Sequence, residues 1–344
     1  MKGDTPRQIV FKVLFLFCVA VFIFCLWQII VYYSGSLYSL HVEGQAKQLY
    51  HPNLSAAASS GSSSAVQKNS SGVTLTLAGV YAKNHDVKGW VTVPDSNIDY
   101  PVVQSADNFF YLRRNWLKES DRHGVPFLDS RCSIDPFTQN TIIYGHNMKD
   151  SLMFHDLVKY EKLSFYKEAP VITFNTIDGN YHWKVFAAFI ANTEKSSGPV
   201  FDYLVPGFDS DTDFLNFITQ VRERSIINTS VDVKPSDKIL TLSTCEYQFP
   251  DARIVVMARL VRTGESESVG SATLNPSPLM PDIWYKLFGG VKPVFDTSSA
   301  VSSAAGSSSQ ASKASSPSKS SSSSKVKSSS AKSTSSGAGS SSAH

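Results

Sequence analysis

Between residues 75 and 263 the chain carries eight short runs rich in β-branched and aromatic residues, and their spacing constrains the fold more than any other feature. The runs are GWVTV (89–93), IDYPVVQ (98–104), VPFLD (125–129), NTIIYGH (140–146), PVITF (170–174), YHWKVFAAFIA (181–191), KILTLSTC (238–245) and RIVVMARLV (253–261). Most have the length and composition of one strand, and eight of them in a single region predict a mainly β domain, either a barrel or a sandwich. Asp178-Gly179, inside NTIDGNY (175–181), is the best hairpin signal in the chain, because both residue types tolerate the left-handed backbone of a tight turn. Helical patterning appears at DSLMFHDLVKYEKL (150–163) and at DTDFLNFITQVRER (211–224), the second with an Asp-Thr-Asp start suited to a helix N-terminus. Two helices are too few for a regular strand-helix-strand alternation, so a doubly wound architecture is excluded.

The ends of the chain set a different boundary. Val13 to Tyr33, VLFLFCVAVFIFCLWQIIVYY, contains no charged residue and is long enough as a helix to cross the roughly 30 Å hydrocarbon core of a bilayer. Lys2, Arg7 and Lys12 precede it, which predicts a cytoplasmic N-terminus, a single pass and everything after residue 34 outside, with Trp27, Tyr32 and Tyr33 at the outer interface. A cleavable signal peptide is the competing reading. The long apolar core, its aromatic end and the lack of a small-residue cleavage site favour a retained anchor. Cys18 and Cys25 inside the span read as packing residues.

Two segments are compositionally unfit to form a core. LSAAASSGSSSAVQKNSSG (54–72) predicts a flexible tether, and from Thr297 the chain is nearly all Ser and Ala with scattered lysines, which predicts a disordered, cationic tail. The expected organisation is a basic N-terminus (1–12), an anchor (13–33), a helical and flexible linker (34–74), the folded domain (75–263), an extension (264–296) and the tail (297–344). Within the extension, NPSPLMPDIWYKLFGG (275–290) presents an apolar patch of Ile283, Trp284, Tyr285, Leu287 and Phe288. A net charge of +3 and no arginine-rich stripe give no footprint for nucleic acid.

Outside the span there are two cysteines, Cys132 and Cys245. In an oxidising compartment a disulfide is one reading of the pair. The other is a reactive thiol at the end of TLSTC, and such a thiol needs a nearby base and a donor for an oxyanion. His146 ends the run NTIIYGH, and Arg253 opens the last run eight residues after Cys245, where a turn through EYQFPDA returns the chain beside it. Taken singly, a strand-terminal histidine and a strand-heading arginine are ordinary structural residues. His146, His155 and Asp156 have no recognised metal-ligand spacing and there is no C-x-x-C, so no metal and no cofactor are predicted.

Taken together, TLSTC, the arginine of ARIVV, the YGHN strand end and the earlier IDYPVVQ resemble the sortase family, most closely its class B, over roughly residues 85–262. The resemblance implies a closed eight-stranded β-barrel with a few peripheral helices. Residues 37–47 and 74–85 would supply N-terminal helices, and 211–224 the helix between the sixth and seventh strands. It implies Cys245 as nucleophile, His146 as general acid/base and Arg253 as oxyanion or substrate-positioning donor. Ser243 and Thr244 are expected to line the site, and Glu246 is placed with them against substrate. The implied activity is that of a cysteine transpeptidase at the outer face of the cell membrane. It would cleave a C-terminal sorting motif of secreted proteins and join the acyl-threonine to an amine of a peptidoglycan precursor or, in a pilus-building relative, of a pilin. Specificity is expected from the connection 193–237. A Cys/His wall peptidase is a rival, but the papain-like arrangement places Cys before His, whereas His146 precedes Cys245. A non-enzymatic Ser-rich surface adhesin would explain the tethers but not the Cys/His/Arg set.

Overall fold

The computed structural model describes residues 6–51 and 75–295; the expected tether at 54–72 and the tail at 297–344 lie outside them. All eight runs become strands: β1 (Val87–Thr92), β2 (Asp99–Val103), β3 (Phe127–Leu128), β4 (Asn140–Tyr144), β5 (Val171–Thr176), β6 (His182–Asn192), β8 (Ile239–Cys245) and β9 (Ala252–Leu260). They close into a barrel in the order β1-β2-β3-β4-β8-β9-β6-β5, the closed alternative of the two β architectures. The hairpin between β5 and β6 turns at Asp178-Gly179 as expected, with Thr176 N–H donating to the Gly179 carbonyl at 2.7 Å. Two strands escape the sequence pattern. β7 (Ile227–Thr229) and β10 (Ala272–Leu274) pair in a separate antiparallel ribbon, each only three residues long.

β6 is buried along nearly its whole length because it is covered twice. One face contributes to the barrel interior, and the other packs Phe186 and Phe189 against Phe214, Phe217, Ile218 and Val221 of α4 (Asp211–Arg224). That helix has the bounds the sequence predicted, and Ser210 caps it by accepting from the Asp213 amide at 3.1 Å.

The helical expectation for 150–163 is corrected. The chain forms a loop, a short 3-10 helix at His155–Glu161 and then α3 (Leu163–Glu168). Ser151 and Met153 adopt positive φ of 66° and 58°, which interrupts any helix, while the Tyr100 hydroxyl takes the Met153 amide at 3.1 Å. Leu152, Phe154, Leu157 and Tyr160 are apolar because they fill the barrel core from an irregular segment, and their spacing mimics an amphipathic helix.

α1 (Pro6–Tyr50) is one helix of 45 residues, apolar and exposed through residue 33, and then buried at Ser36, Ser39, Val42, Glu43, Ala46 and Tyr50. Those positions recur at three- and four-residue spacing, one stripe of a helix. The stripe shares a core with α2 (Leu75–Lys83) and the barrel, where Tyr50 stacks on Trp90 at 4.2 Å between centroids. In the extension, α5 (Asp282–Phe288) lays Ile283, Trp284 and Tyr285 on the barrel core and leaves Leu287 and Phe288 exposed.

Strand direction places the chemistry. β4 and β8 are parallel and in register from Asn140↔Ile239 to Tyr144↔Ser243, so the residues following each strand emerge at one end of the barrel. β9 is antiparallel to β8, and Arg253 lies directly opposite Cys245.

Candidate active site

The β4 and β8 ladder is extended by one bond beyond the last pair, Gly145 N–H to the Ser243 carbonyl at 3.2 Å. Gly145 is required there: a Cβ would stand 2.6 Å from the Phe154 ring, which closes over the strand end. The next residue is His146. Across β8 the chain leaves the sheet after Cys245 and turns back through Glu246 to Asp251 into Arg253. The closing bond of this turn runs from Glu246 N–H to the Ala252 carbonyl at 2.9 Å.

His146, Cys245 and Arg253 line one open cleft of about 370 Å³ together with Ser243, Thr244, Asn108, Leu112, Phe127, Tyr144, Thr193, Tyr203 and Leu204. Five of the six residues singled out from the sequence are thus brought together. Glu246 is not among the lining residues. One of its carboxylate oxygens accepts from the Tyr247 amide, and the other is buried without a partner. Burial, reinforced by the neighbouring Glu246, pushes the Glu161 carboxyl up.

The His146 ring is fixed by Nε2 donating to the Leu112 carbonyl at 2.9 Å, so Nε2 carries the proton of the neutral imidazole. Burial pulls its pKa below the ordinary histidine value, and nearby Arg113, His123 and Arg253 act in the same direction. Arg253 directs Nη1 to the Ala252 carbonyl at 2.9 Å, the acceptor that also holds the Glu246 amide. The Glu246 N–H is therefore committed, while the rest of the guanidinium fork faces a cleft containing the thiol. Cys132 is buried, its Sγ 3.5 Å from the Asn140 carbonyl, and both it and Cys245 are free thiols, which removes the disulfide alternative.

Several contacts of the site were not singled out from the sequence. Asn147 donates Nδ2 to the Cys245 carbonyl at 2.8 Å, Oδ1 lies 2.8 Å from His155 Nδ1, and its own carbonyl accepts from the Tyr247 hydroxyl. It ties the segment after His146 to the end of β8. Its place beside His146 in YGHN was the only available hint. The Tyr203 hydroxyl meets the Ser243 hydroxyl at 2.9 Å, reaching in from the 193–237 connection. Tyr144 donates to Asp129 at 2.7 Å, and Asp129 also pairs with both arms of Arg131. Burial alone would raise the Asp129 carboxyl, but these donors hold it at about 2. Thr244 keeps a buried hydroxyl without a partner, at 2 % residue exposure. A thiol, an imidazole and an oriented guanidinium around one partly apolar cleft are the parts needed for acyl transfer through a thioester.

A family model described as Sortase domain matches residues 91–261. The chain is 38% identical over 180 residues to Sortase B of Listeria monocytogenes, covering 52% of this chain and 71% of that protein. It is 35% identical over 181 residues to Sortase B of Staphylococcus aureus, covering 52% and 72%. Among solved structures, sortase B from Bacillus anthracis in complex with AAEK1 aligns with a TM-score of 0.57 at 30% identity, covering 67% of this chain and 99% of that one. The Staphylococcus aureus sortase B-substrate complex aligns with a TM-score of 0.51 at 34% identity, covering 56% and 87%.

Proposed function

The chain belongs to the sortase family, with sortase B enzymes among its relatives, and on that footing we propose that it is a membrane-anchored cysteine transpeptidase that attaches secreted proteins to the cell wall. The observation that carries this reading is the convergence of His146, Cys245 and Arg253 on one cleft through two strand pairings, β4 with β8 and β8 with β9.

The Cys245 thiolate attacks the carbonyl of the threonine in a sorting motif, and the carbonyl oxygen becomes an oxyanion. With the Glu246 amide engaged by Ala252, the Arg253 fork is the donor set aimed at that charge. The tetrahedral intermediate collapses by breaking the peptide C–N bond. Imidazolium His146 gives its proton to the departing amine, leaving a Cys245 thioester. An incoming amine of a peptidoglycan precursor loses a proton to neutral His146, attacks the thioester and restores the thiol. One amide bond is broken and one formed, so no cofactor is consumed. Ser243 and Thr244 contact the substrate beside the nucleophile, with Tyr203 against Ser243. The apolar part of α1 anchors the enzyme as a single span with the barrel outside, in keeping with a helix long and apolar enough to cross a membrane and exposed through residue 33.

The test is incubation of the full-length protein in detergent with a sorting-motif peptide and a primary amine, followed by mass spectrometry. The ligated peptide and a Cys245-linked acyl adduct are the expected products, and both vanish in Cys245→Ala. Hydrolysis without ligation would indicate a peptidase, and an inert protein would leave the adhesin.

A further inference from the structure

α1 acts as a ruler between the apolar span and the barrel. Taking the end of the apolar run at Tyr33 as the outer edge of the hydrocarbon, each later residue rises by about 1.5 Å along the helix. Its contacts with the domain are ordered along that axis. At the lowest level the Arg122 guanidinium lies 4.0 Å from the Tyr32 ring centroid and donates to Ser36 Oγ at 2.7 Å, and Ser36 donates to Asp150 at 2.6 Å. Slightly higher, Tyr38 donates to Glu119 at 2.5 Å, and Ser39 hydrogen-bonds Asp121 and lies 2.8 Å from His123 Nδ1. Far above, Lys47 pairs with Asp99 at 3.4 Å, and Tyr50 stacks on Trp90 and accepts from Asn175 at 2.7 Å. Ser36 and Ser39 stand roughly 5 and 9 Å above Tyr33, and Lys47 and Tyr50 roughly 21 and 26 Å above it. A tilt of about 20° shortens these heights by only about 6%.

The lower contacts have a buried centre at Ser39, Asp121 and His123. His123, fully buried, bridges Asp121 and Asp150 at 2.8 Å to each, and burial, which lowers its pKa, is outweighed by those two carboxylates. Asp121 and Asp150 are thus paired with His123 inside the junction, Glu119 stays exposed under the Tyr38 hydroxyl, and the cations Arg114 and Lys149 are exposed on neighbouring loop positions.

We propose that α1 holds the barrel in one orientation on the membrane, with the 119–122 and 148–151 loops resting on phospholipid headgroups and the Asp99 and Trp90 end directed away; this rests on the reading of α1 as a membrane anchor. The orientation has a consequence for the chemistry. Asp150 is at the tip of a loop whose base is His146, since Asn147 bridges Met153 and the Phe154 amide donates to the His146 carbonyl at 2.8 Å. Four residues span no more than about 14 Å. His146 is therefore held within roughly 20 Å of the bilayer edge.

The experiment uses the full-length chain carrying Cys18→Ser, Cys25→Ser and Cys245→Ala, with one fluorophore attached through Lys149→Cys or through Asn97→Cys. Each labelled protein is reconstituted in phosphatidylcholine and phosphatidylglycerol vesicles containing a headgroup-spin-labelled lipid. Quenching at 149 is expected to exceed that at 97 by at least fivefold. Equal quenching at the two sites, or the reverse order, would overturn the proposal. A six-glycine insertion after Tyr33 should abolish the contrast while the protein still sediments with vesicles; a contrast that survives the insertion refutes α1 as its cause. Failure of the uninserted protein to sediment with vesicles would instead refute the anchor on which the proposal rests.

Discussion

Replacing Arg253 by lysine separates charge from geometry at the position opposite Cys245, the proposed nucleophile. The arginine fixes one arm on the Ala252 carbonyl at 2.9 Å, which aims the remaining donors of a planar group; a lysine keeps the charge but delivers it as a mobile ammonium. The nearest backbone alternative, the Glu246 amide, is already bonded to that same carbonyl at 2.9 Å. Loss of one oriented oxyanion donor typically costs on the order of 10²–10³ in rate, about 2.7–4 kcal/mol of transition-state stabilisation. The cost to folding is much smaller. Arg253 is half-buried and its side chain makes one hydrogen bond, worth about 1 kcal/mol, which for a domain of this size shifts Tm by about 2–4 °C. Arg253→Lys should therefore melt nearly as the parent does while its kcat for peptide-to-amine ligation falls by two to three decades, with KM changing less. The assay is steady-state ligation followed by chromatography, with the acyl-enzyme trapped by rapid acid quench. A kcat within about threefold of the parent would refute the assignment and require the oxyanion to be held by backbone amides near Cys245.

Because burial and nearby cations depress His146, the His146 limb of the kcat/KM pH profile should lie below pH 6.5, and Arg113→Gln, which removes a cation, should move it upward; a limb above 6.5 in the parent would contradict the depressed value. Cys132→Ser should keep full ligation activity, since the Cys132 thiol is buried against the Asn140 carbonyl and does not line the cleft; loss of activity with the fold intact would give Cys132 a role in the chemistry. Burial pushes Glu43 of α1 up to about 8 from 4.5, so the folded state holds a proton that the unfolded state has released, and stability falls as pH rises between these values. The full difference is on the order of 5 kcal/mol at 1.36 kcal/mol per unit, so Glu43→Gln should flatten the Tm profile between pH 5 and 8; an unchanged slope would show that Glu43 is not the group responsible.

The barrel was legible in the sequence because its strands are marked by their own composition. Val91, Ile142, Leu242 and Val256 are buried β-branched or aliphatic residues in runs of strand length. Nothing comparable marks β7 and β10, three residues each, which exist because the 264–296 extension supplies β10 and returns it against β7, with the Asn275 amide donating to the Ile226 carbonyl at 2.8 Å just beyond the last pair. The segment 150–163 failed for the opposite reason. Its apolar spacing was real, but Ser36 drew Asp150 onto α1 and Tyr100 took the Met153 amide, contacts across 114 and 53 residues that outweigh local periodicity. α1 itself was legible as a span and as a short helix at 37–47, yet not as one continuous rod, because its polar stripe of Ser36, Ser39 and Glu43 reads as surface until its partners are in place.

The same distinction divides the site. His146, Cys245 and Arg253 sit at or just beyond strand ends, so once β4, β8 and β9 were recognised, only their pairing was needed to bring the three together. Glu246 shows where that reasoning ends. It is one residue past β8, where its amide bonds Ala252 and the chain turns, so its nearness in sequence to Cys245 no longer implies a place in the cleft. The opposite wall has no such addresses: Asn108, Tyr203 and Leu204 come from irregular segments, Leu112 from a single 3-10 turn at Phe110–Arg113, and Tyr203 reaches Ser243 across 40 residues. Loops carry no periodicity from which a side chain's direction can be inferred. Groups placed by strand register are therefore visible in one sequence, whereas the cleft wall that faces them becomes visible only when the barrel has closed.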